Sequence, residues 1–552
     1  MPLWRHILRG GILDNIYNWR HLSAALQQSS AQAQTNHSPR ILLAPNVYWE
    51  QFINMYTLLA AALRLRGAQV DVFYDDILPA CEKCTYHNNV HHLGRHKFDP
   101  IRMRWIWKPL GVKLLPISQF LDQAQIKQAK KLSNEIPFSE IATVQLDKVK
   151  IGEHAYAGAL RYFATGTLDG QPKAEHVLRQ YLLSALLMKF ATERLFSEKQ
   201  YDVACFHHGI YVPQGILGEV ARAKKIRVVN WNVAYREKCF IFSHNDTYHH
   251  TLLDEPTSCW ENISWTETLD NKITQYLDSR HTGSKDWISF NRSPIENTKI
   301  IIDQLKIDPN KPIIVLLTNV IWDAQLHYKT NIYPNMIAWV NDTITYFSKR
   351  PDLQLVIRIH PAEKKGTIPS RQPMLAEINK VFPVLPKNVV VIPPDSSIST
   401  YVISNLCNAA IIYGTKTGVE LVSSGIPTIV AGEAWIKQKG LTMDPTSVAE
   451  YHTLLDTLPL SGKLDVATIK RAKQYAYHFF YRRMIPIKCI QSGKLIFFKL
   501  HINSLGDLLP GADPGLDVIC RGILTGDPFI YPDEEINATA SEGQSTAWLD
   551  MR

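Results

Sequence analysis

The sequence predicts an α/β protein made of two doubly wound domains, and three observations carry that expectation. Apolar runs of strand length alternate with segments of helical period, the pattern of parallel strands joined by crossover helices. The alternation appears twice, once between residues 40 and 231 and again between residues 312 and 431. The chain has 552 residues, more than the roughly 250–300 that one hydrophobic core holds.

The first unit begins with ILLAP (41–45), a strand. NVYWEQFINMYTLLAAALRLRG (46–67) follows as a helix closed by Gly67, and AQVDVFYDD (68–76) as the next strand. YDVACFHHG (201–209) is a strand entering a loop, Gly215 to Lys225 a helix, and IRVVNW (226–231) a strand. In the second unit, strands are expected at 312–318, 354–360, 388–393, 409–413 and 427–431, with helical patterns between them. Residues 265–310 are polar, hold Gly283 and Pro294, and read as an irregular connection between domains. TIKRAKQYAYHFFYRRMIPI (468–487) reads as one amphipathic helix. From Asp533 onward the chain is polar and is expected to be disordered. The resulting division is a basic segment and linker (1–38), a first Rossmann-like domain (39–290), a second (291–467), and a C-terminal helix and tail (468–552) that can cross back to the first domain.

Bulk properties exclude several classes. Apolar residues make up 45% of the chain, ordinary for a globular protein. No run of 18 apolar residues exists, which argues against a membrane-spanning helix. The N-terminus, MPLWRHILRGGILDNIY, is a poor signal peptide because charge and glycine break its apolar stretch. Eight scattered cysteines do not form a disulfide framework, so a reducing, cytoplasmic setting is expected. The net charge of +9 suits an acidic substrate or an anionic membrane surface. No arginine-rich tail or zinc-finger spacing points to nucleic acid. Residues 1–26 carry basic and bulky apolar side chains, followed by SSAQAQTNHS (29–38) as a flexible linker. RHKFDPIRMRWIWKPLGVK (95–113) has a similar composition. For both basic stretches, packing on the protein itself and contact with a membrane interface or acidic acceptor stay open.

The stretch IIYGTKTGVELVSSGIPTIVAG (411–432) concentrates the functional signal. An apolar strand ends in Gly414-Thr415-Lys416-Thr417-Gly418 and a short helix comes next, a place where free backbone N–H groups favour an anion. A tight turn that needs glycine only for geometry is the plainer alternative. In an open α/β sheet, ligands bind beyond the C-terminal ends of the strands. The other strands of the second unit end in Thr318-Asn319, in Arg358 and His360 through Glu363, in Asp395-Ser396-Ser397, and in Gly432-Glu433. His360 can donate to a phosphate oxygen. Ser396 and Ser397 can do the same or cap the helix at 397–406. Glu420 can accept ribose hydroxyls or offset a helix dipole. No Walker lysine pattern and no GxGxxG appear, so neither ATP hydrolysis nor nicotinamide binding is supported.

RIHPAEKKG (358–366) followed by YGTKTGVELVSSGIPTIVAG resembles the nucleotide-sugar half of GT-B glycosyltransferases. It resembles most the capsule polysaccharide biosynthesis family, which includes bacterial enzymes that transfer Kdo to capsule lipids. That family and the related GT-B sialyltransferases hold donor phosphate with a His-Pro motif and a Ser/Thr motif. His360-Pro361 matches the first. Thr415 and Thr417 stand at the second, with threonine in place of the serine pair. The resemblance covers mainly residues 310–435. HHGIYVPQG (207–215) and FSHNDTYHH (242–250) look like companion motifs, a weaker match.

The resemblance implies a GT-B fold and an inverting, metal-independent transferase of a nucleotide sugar, with no separate cofactor and a glycan or lipid-linked acceptor. It implies donor contacts at Thr318, Asn319, Arg358, His360, Glu363, Ser396, Ser397, Thr415, Lys416, Thr417, Gly418 and Glu420. It also implies an acceptor base in the first domain. His208 and His207 end a strand there and titrate near neutrality; Glu50 and Asp75 or Asp76 end others. His244, Asp246 and His249 are candidates for the same cleft. CEKCTYHNNVHHLGRH (81–96) offers Cys81, Cys84 and histidines 87, 91, 92 and 96 to zinc, but without a second tight ligand pair. Rivals are a nucleotide-sugar 2-epimerase of the same fold and a non-catalytic nucleotide- or glycan-binding partner in a capsule assembly complex. The sugar, the acceptor, the linkage and the oligomeric state stay open.

Overall fold

A computed structural model describes residues 19–45, 50–85, 99–290, 293–323, 327–493 and 498–536. Its core is two twisted sheets. The strands of the first are β1 (Arg40–Leu43), β2 (Gln69–Tyr74), β3 (Lys113–Pro116), β4 (Val203–His207), β5 (Arg227–Val233) and β6 (Cys239–His244). Those of the second are β7 (Ile313–Leu317), β8 (Gln354–Arg358), β9 (Val389–Ile392), β10 (Ala409–Ile412) and β11 (Thr428–Val430). The second sheet is parallel throughout, in the order β11-β10-β7-β8-β9. The first has the same parallel order around its centre, β5-β4-β1-β2-β3, extended at the β5 edge by antiparallel β6. In each sheet the strand order reverses beside the first strand, between β1 and β4 and between β7 and β10. These are the switch points where doubly wound sheets leave a crevice at their C-terminal edges.

Alternate strand residues enter two cores per sheet. Ile41 and Leu43 face one side of the first sheet and Leu42 the other. Val315 and Leu317 face one side of the second sheet, Ile314 and Leu316 the other. Continuous apolar strands such as IIVLL are what burial on both faces requires. Two Rossmann-like domains thus face one another across a cleft, the GT-B arrangement.

After the second domain the chain returns to the first. The helix Val466–Tyr477 runs into a π turn, His478–Arg482, and then into β12 (Ile485–Pro486), which pairs antiparallel with β6. Residues 468–487 are therefore not one helix: buried Tyr481 and Met484 belong to the interface between domains, and the strand after them closes the first sheet. The helix Pro514–Thr525 then packs on the first domain, where Arg227 donates to the carbonyls of Gly522, Ile523 and Leu524 at its end. Asp533 is buried and accepts from Tyr477 Oη and Lys272 Nζ, so the chain is still anchored at that point. Residues 537–552 lie outside the described residues.

Two further expectations are corrected. Residues 29–33 belong to the helix Ser23–Ala33, whose buried face continues Trp19 and Leu22 through Leu26 to Ser30. That spacing is helical, and only the polar outer face resembles a linker. The basic segment before residue 19 lies outside the described residues. The connection at 265–310 holds two capped helices, Glu267–Ser279 and Thr298–Leu305. Thr266 Oγ1 accepts from the Leu269 N–H and Asn297 Oδ1 from the Ile300 N–H. Among the described residues, no helix is long and apolar enough to cross a membrane.

Candidate functional site

A cavity of about 480 Å³ lies between the two domains, at the C-terminal ends of β7, β8 and β10. Thr318, Asn319, Arg358, His360, Thr415, Lys416 and Thr417 all line it. Hydrogen bonds between strand ends fix this wall. The His360 N–H donates to Thr318 Oγ1 at 3.0 Å, and the Gly414 N–H to Asn319 Oδ1 at 3.3 Å. The Ala362 N–H donates to His360 Nδ1 at 3.1 Å. Burial, then Lys416 and Arg358, pull the imidazole down to about 4, so it is neutral and its proton sits on Nε2. Arg358 is anchored to the carbonyls of Pro393 and Ser396; burial lowers it to about 10, still charged at neutral pH. The Thr417 N–H and Oγ1 both lie close to Thr415 Oγ1, at 3.3 and 3.1 Å.

Behind this wall stands a buried ion cluster. Glu420 Oε1 pairs ionically with Arg280 Nε at 3.0 Å and accepts from Lys416 Nζ at 3.2 Å, and Oε2 accepts from Tyr401 Oη at 2.6 Å. Burial alone would raise this carboxyl, but Arg280, Lys416 and Tyr401 outweigh it and hold it at about 2. Arg280 also donates to Asp286 Oδ2 and Tyr276 Oη. The Lys416 ammonium lies 4.7 Å above the Tyr235 ring. Arg280, Lys416, Asp286, Tyr235 and Tyr401 all line the cavity.

Five other expected donor contacts do not line it. Glu420 is engaged by the ion cluster through both oxygens and stands behind the wall rather than in the lining. Glu363 turns back to accept from the Met374 N–H, at the start of the helix Met374–Val381, and burial raises its carboxyl. Ser396 Oγ accepts from the Ile398 N–H, and Ser397 is an exposed turn residue whose carbonyl accepts from the Ile295 N–H. The helix cap falls to Ser399, whose Oγ accepts from the Val402 N–H; Ser399, Thr400 and Tyr401 face the cavity instead. Gly418 is a packing glycine, because a Cβ there would meet Ile412 Cδ1 at 2.6 Å and Ile436 Cγ2 at 2.9 Å.

The expected bases fare differently from the donor wall. His207 stacks 4.0 Å from Phe52 and its Nε2 bonds Asn232 Oδ1 at 2.9 Å; burial pulls it down to about 3. It orients Asn232, which lines the cavity, but does not line it itself. His208 sits at φ +65°, stacks on Tyr211 at 5.1 Å, is driven well below the usual imidazole range by burial, and is also absent from the lining. Asp75 is fully buried and accepts from the N–H groups of Ile77 and Leu78, while Asp76 accepts from Ser118. Glu50 starts the helix Glu50–Leu65, but its side chain lies outside the described residues. The first-domain wall is built from Phe52, Asn232, Tyr235, Tyr248 and His249, and Asp323 lines the cavity beyond β7. Of these, sequence reasoning had singled out His249.

Cys81 and Cys84 are buried, and Tyr181 Oη donates to the Cys81 carbonyl; the nearby histidines lie outside the described residues. One trio among the described residues has metal-ligand composition, Asp246, His250 and His327. The two rings stack at 3.9 Å and 15°, and His327 Nε2 faces Thr247 Oγ1 at 2.7 Å. His250 Nδ1 faces Asp246 Oδ2 at 2.9 Å and Nε2 faces the His327 carbonyl at 2.9 Å. Both partners only accept, so His250 is an imidazolium joining the segment after β6 to the second domain. Its pKa is raised: burial opposes the charge, but Asp246, the His327 carbonyl and Glu433 outweigh it.

No family model matches the chain, and no curated protein matches it. Among solved structures it is similar to KpsC of Thermosulfurimonas dismutans, described as a β-Kdo 2,4 transferase. That match has 14% identity over 50% of this chain and 79% of that one, with a TM-score of 0.31. It is similar also to UDP-GlcNAc 2-epimerase of Neisseria meningitidis (10% identity, 79% and 94% of the two chains, TM-score 0.25). A third is the glycosyltransferase SnogD of Streptomyces nogalater (13% identity, 80% and 96%, TM-score 0.22). The architecture stands on the order of the two sheets, independently of these similarities.

The His250 contact makes a pH prediction. A raised folded pKa gives stability that is fully present below the ordinary histidine value, about 6.5, and is lost as pH rises through the folded value. His250→Gln should therefore lower the thermal midpoint most at pH 5.5–6 and progressively less toward pH 9. A gap that widens with pH would contradict the assignment.

Proposed function

We propose that the protein is a glycosyltransferase. A nucleotide sugar lies against the second domain and a hydroxyl of a glycan or lipid-linked acceptor approaches from the first. The observation that carries this reading is the wall formed by His360 Nε2–H, the Thr415 and Thr417 hydroxyls and Lys416 at the β7/β10 switch point. A neutral donor, two hydroxyls and a cation suit the phosphate of a leaving nucleotide, whose negative charge grows as the glycosidic bond to phosphate breaks. Donors held in place before reaction need no reorganisation, which is where such sites gain most. On this proposal attack comes from the opposite face of the sugar, with inversion, and the phosphate contacts named here are all protein groups.

A panel of CMP-, UDP- and dTDP-sugars, CMP-Kdo among them, should contain ligands that raise the thermal midpoint; saturation at a hundred times Kd adds about 2.7 kcal/mol. His360→Ala should weaken the best ligand by roughly 1.5–3 kcal/mol, the worth of a hydrogen bond to a charged group. Unchanged affinity and rate in that variant would remove His360 from the site. Donor breakdown to an epimer without any acceptor would support the epimerase instead.

For a lipid-linked acceptor, the helix Asp99–Trp107 offers an exposed face. Ile101 and Trp105 are 42% and 48% exposed, and Arg104 and Lys108 are exposed beside them on the same helical stripe. Met103, Ile106 and Trp107 on the opposite side are buried. We propose that this stripe rests on anionic lipid, basic heads toward the headgroups and Trp105 at the interface. Phosphatidylcholine vesicles containing phosphatidylglycerol should sediment the protein, vesicles without it should not, and Trp105→Ala should reduce recovery. Equal recovery by both vesicle types would contradict the proposal.

A further inference from the structure

Among the described residues, two carboxylates line the cavity, Asp286 and Asp323. Asp286 is fully engaged: Tyr276 Oη donates to Oδ1 at 2.7 Å and Arg280 to Oδ2. Asp323 is engaged on one side only. Tyr211 Oη donates to its Oδ1 at 2.7 Å, and among the described residues no partner is found for Oδ2. The imidazoles of the lining are committed elsewhere. His360 carries its proton toward the cavity, and His281 stacks on Tyr401 at 4.2 Å, at the cation-rich end assigned to the donor. His249 is wedged against Tyr248 and Trp435, and burial pulls it down to about 3, a weak proton acceptor.

We propose that Asp323 is the catalytic base of the transfer, held by Tyr211 from the facing domain; this rests on the reading of the cleft given above. The acceptor O–H gives its proton to Asp323 Oδ2, and its oxygen forms the new bond to the anomeric carbon. The bond from that carbon to the donor phosphate breaks, and its electron pair leaves on the phosphate oxygen. Asp323 stands beyond β7, at the switch point of the second sheet, and Tyr211 in the loop after β4, at the switch point of the first. The Tyr211–Asp323 hydrogen bond therefore spans the cleft, and the base is aimed only when the two domains approach. Tyr211 is a positioning residue. Behind it Arg161 lies 4.9 Å over its ring and 5.4 Å over Trp322, 3.7 Å from Glu82, so the tyrosine is clamped from its far side.

The test uses the full chain and the best nucleotide sugar from the panel. Asp323→Asn should bind that donor as wild type does and transfer roughly 10²–10⁴ times more slowly, the usual worth of a positioned base. Tyr211→Phe should bind the donor as wild type does and lower kcat with the acceptor KM little changed, because the carboxylate loses the bond that aims it. The other groups facing this pair are Arg161, Glu82, His208, Tyr235, Tyr248 and Tyr328. All are unchanged in that variant, so the loss reports the bond. If wild type transfers and Asp323→Asn keeps its rate within tenfold, or Tyr211→Phe keeps the wild-type kcat, this inference is overturned and the cleft reading stands. If wild type transfers from no nucleotide sugar, both fall together.

Discussion

The buried carboxylate of Glu420 is the constraint on which the site depends. It draws Arg280, from the end of the helix Glu267–Ser279, and Lys416, from the turn after β10, to one point behind the cavity wall. At 4 Å and an effective dielectric near 20, each attraction is worth about 4 kcal/mol. Removing each ion from water costs several kcal/mol in return. The two nearly cancel, so the cluster contributes little net stability and is better understood as a positioning device. Without the carboxylate, two buried cations would oppose each other. With it, they stand side by side at the edge of a cavity that a phosphate can enter.

The repeated sheet order places that device usefully. Each domain reverses its strand order beside its first strand, and each reversal opens toward the cleft. Polar, directional contacts bridge the cleft: Tyr211 to Asp323, His250 to the His327 carbonyl, and Lys439 Nζ to the carbonyls of Leu253 and Glu255. They add orientation to an apolar cluster shared by the two domains, which joins Ala234, Ile241 and Leu252 to Val315, Ile412 and Val430. The chain's return through β12 ties the two halves a second time.

The sheets were legible in the sequence because strands buried on both faces are continuous apolar runs, and each expected strand of both units is present within a residue or two of its end. Thr318, Asn319, Arg358, His360 and the threonines of GTKTG were legible for a related reason: they leave strands at the edge where ligands collect. The paths of the loops beyond the strand ends were less legible. Glu363 and Ser396 sit in the right loops, but the local turn aims them at backbone N–H groups instead of the cavity. Arg280, Asp286, Asn232 and Asp323 carried no local signal at all. Arg280 and Asp286 come from a stretch whose helix has only Leu269, Ile273 and Tyr276 as its buried face, so its polar majority hid it. His207 and His208 were attractive for their intrinsic pKa, but the fold buries His207, which orients Asn232, and half-buries His208 in a stack on Tyr211.

Most directly, the account is tested by the electron density of a nucleoside mono- or diphosphate bound to crystals of the protein. It predicts a phosphate within hydrogen-bond distance of His360 Nε2 and the Thr415 and Thr417 hydroxyls, with the Lys416 ammonium beside it. A nucleotide bound against the first sheet, with this wall left empty, would contradict it.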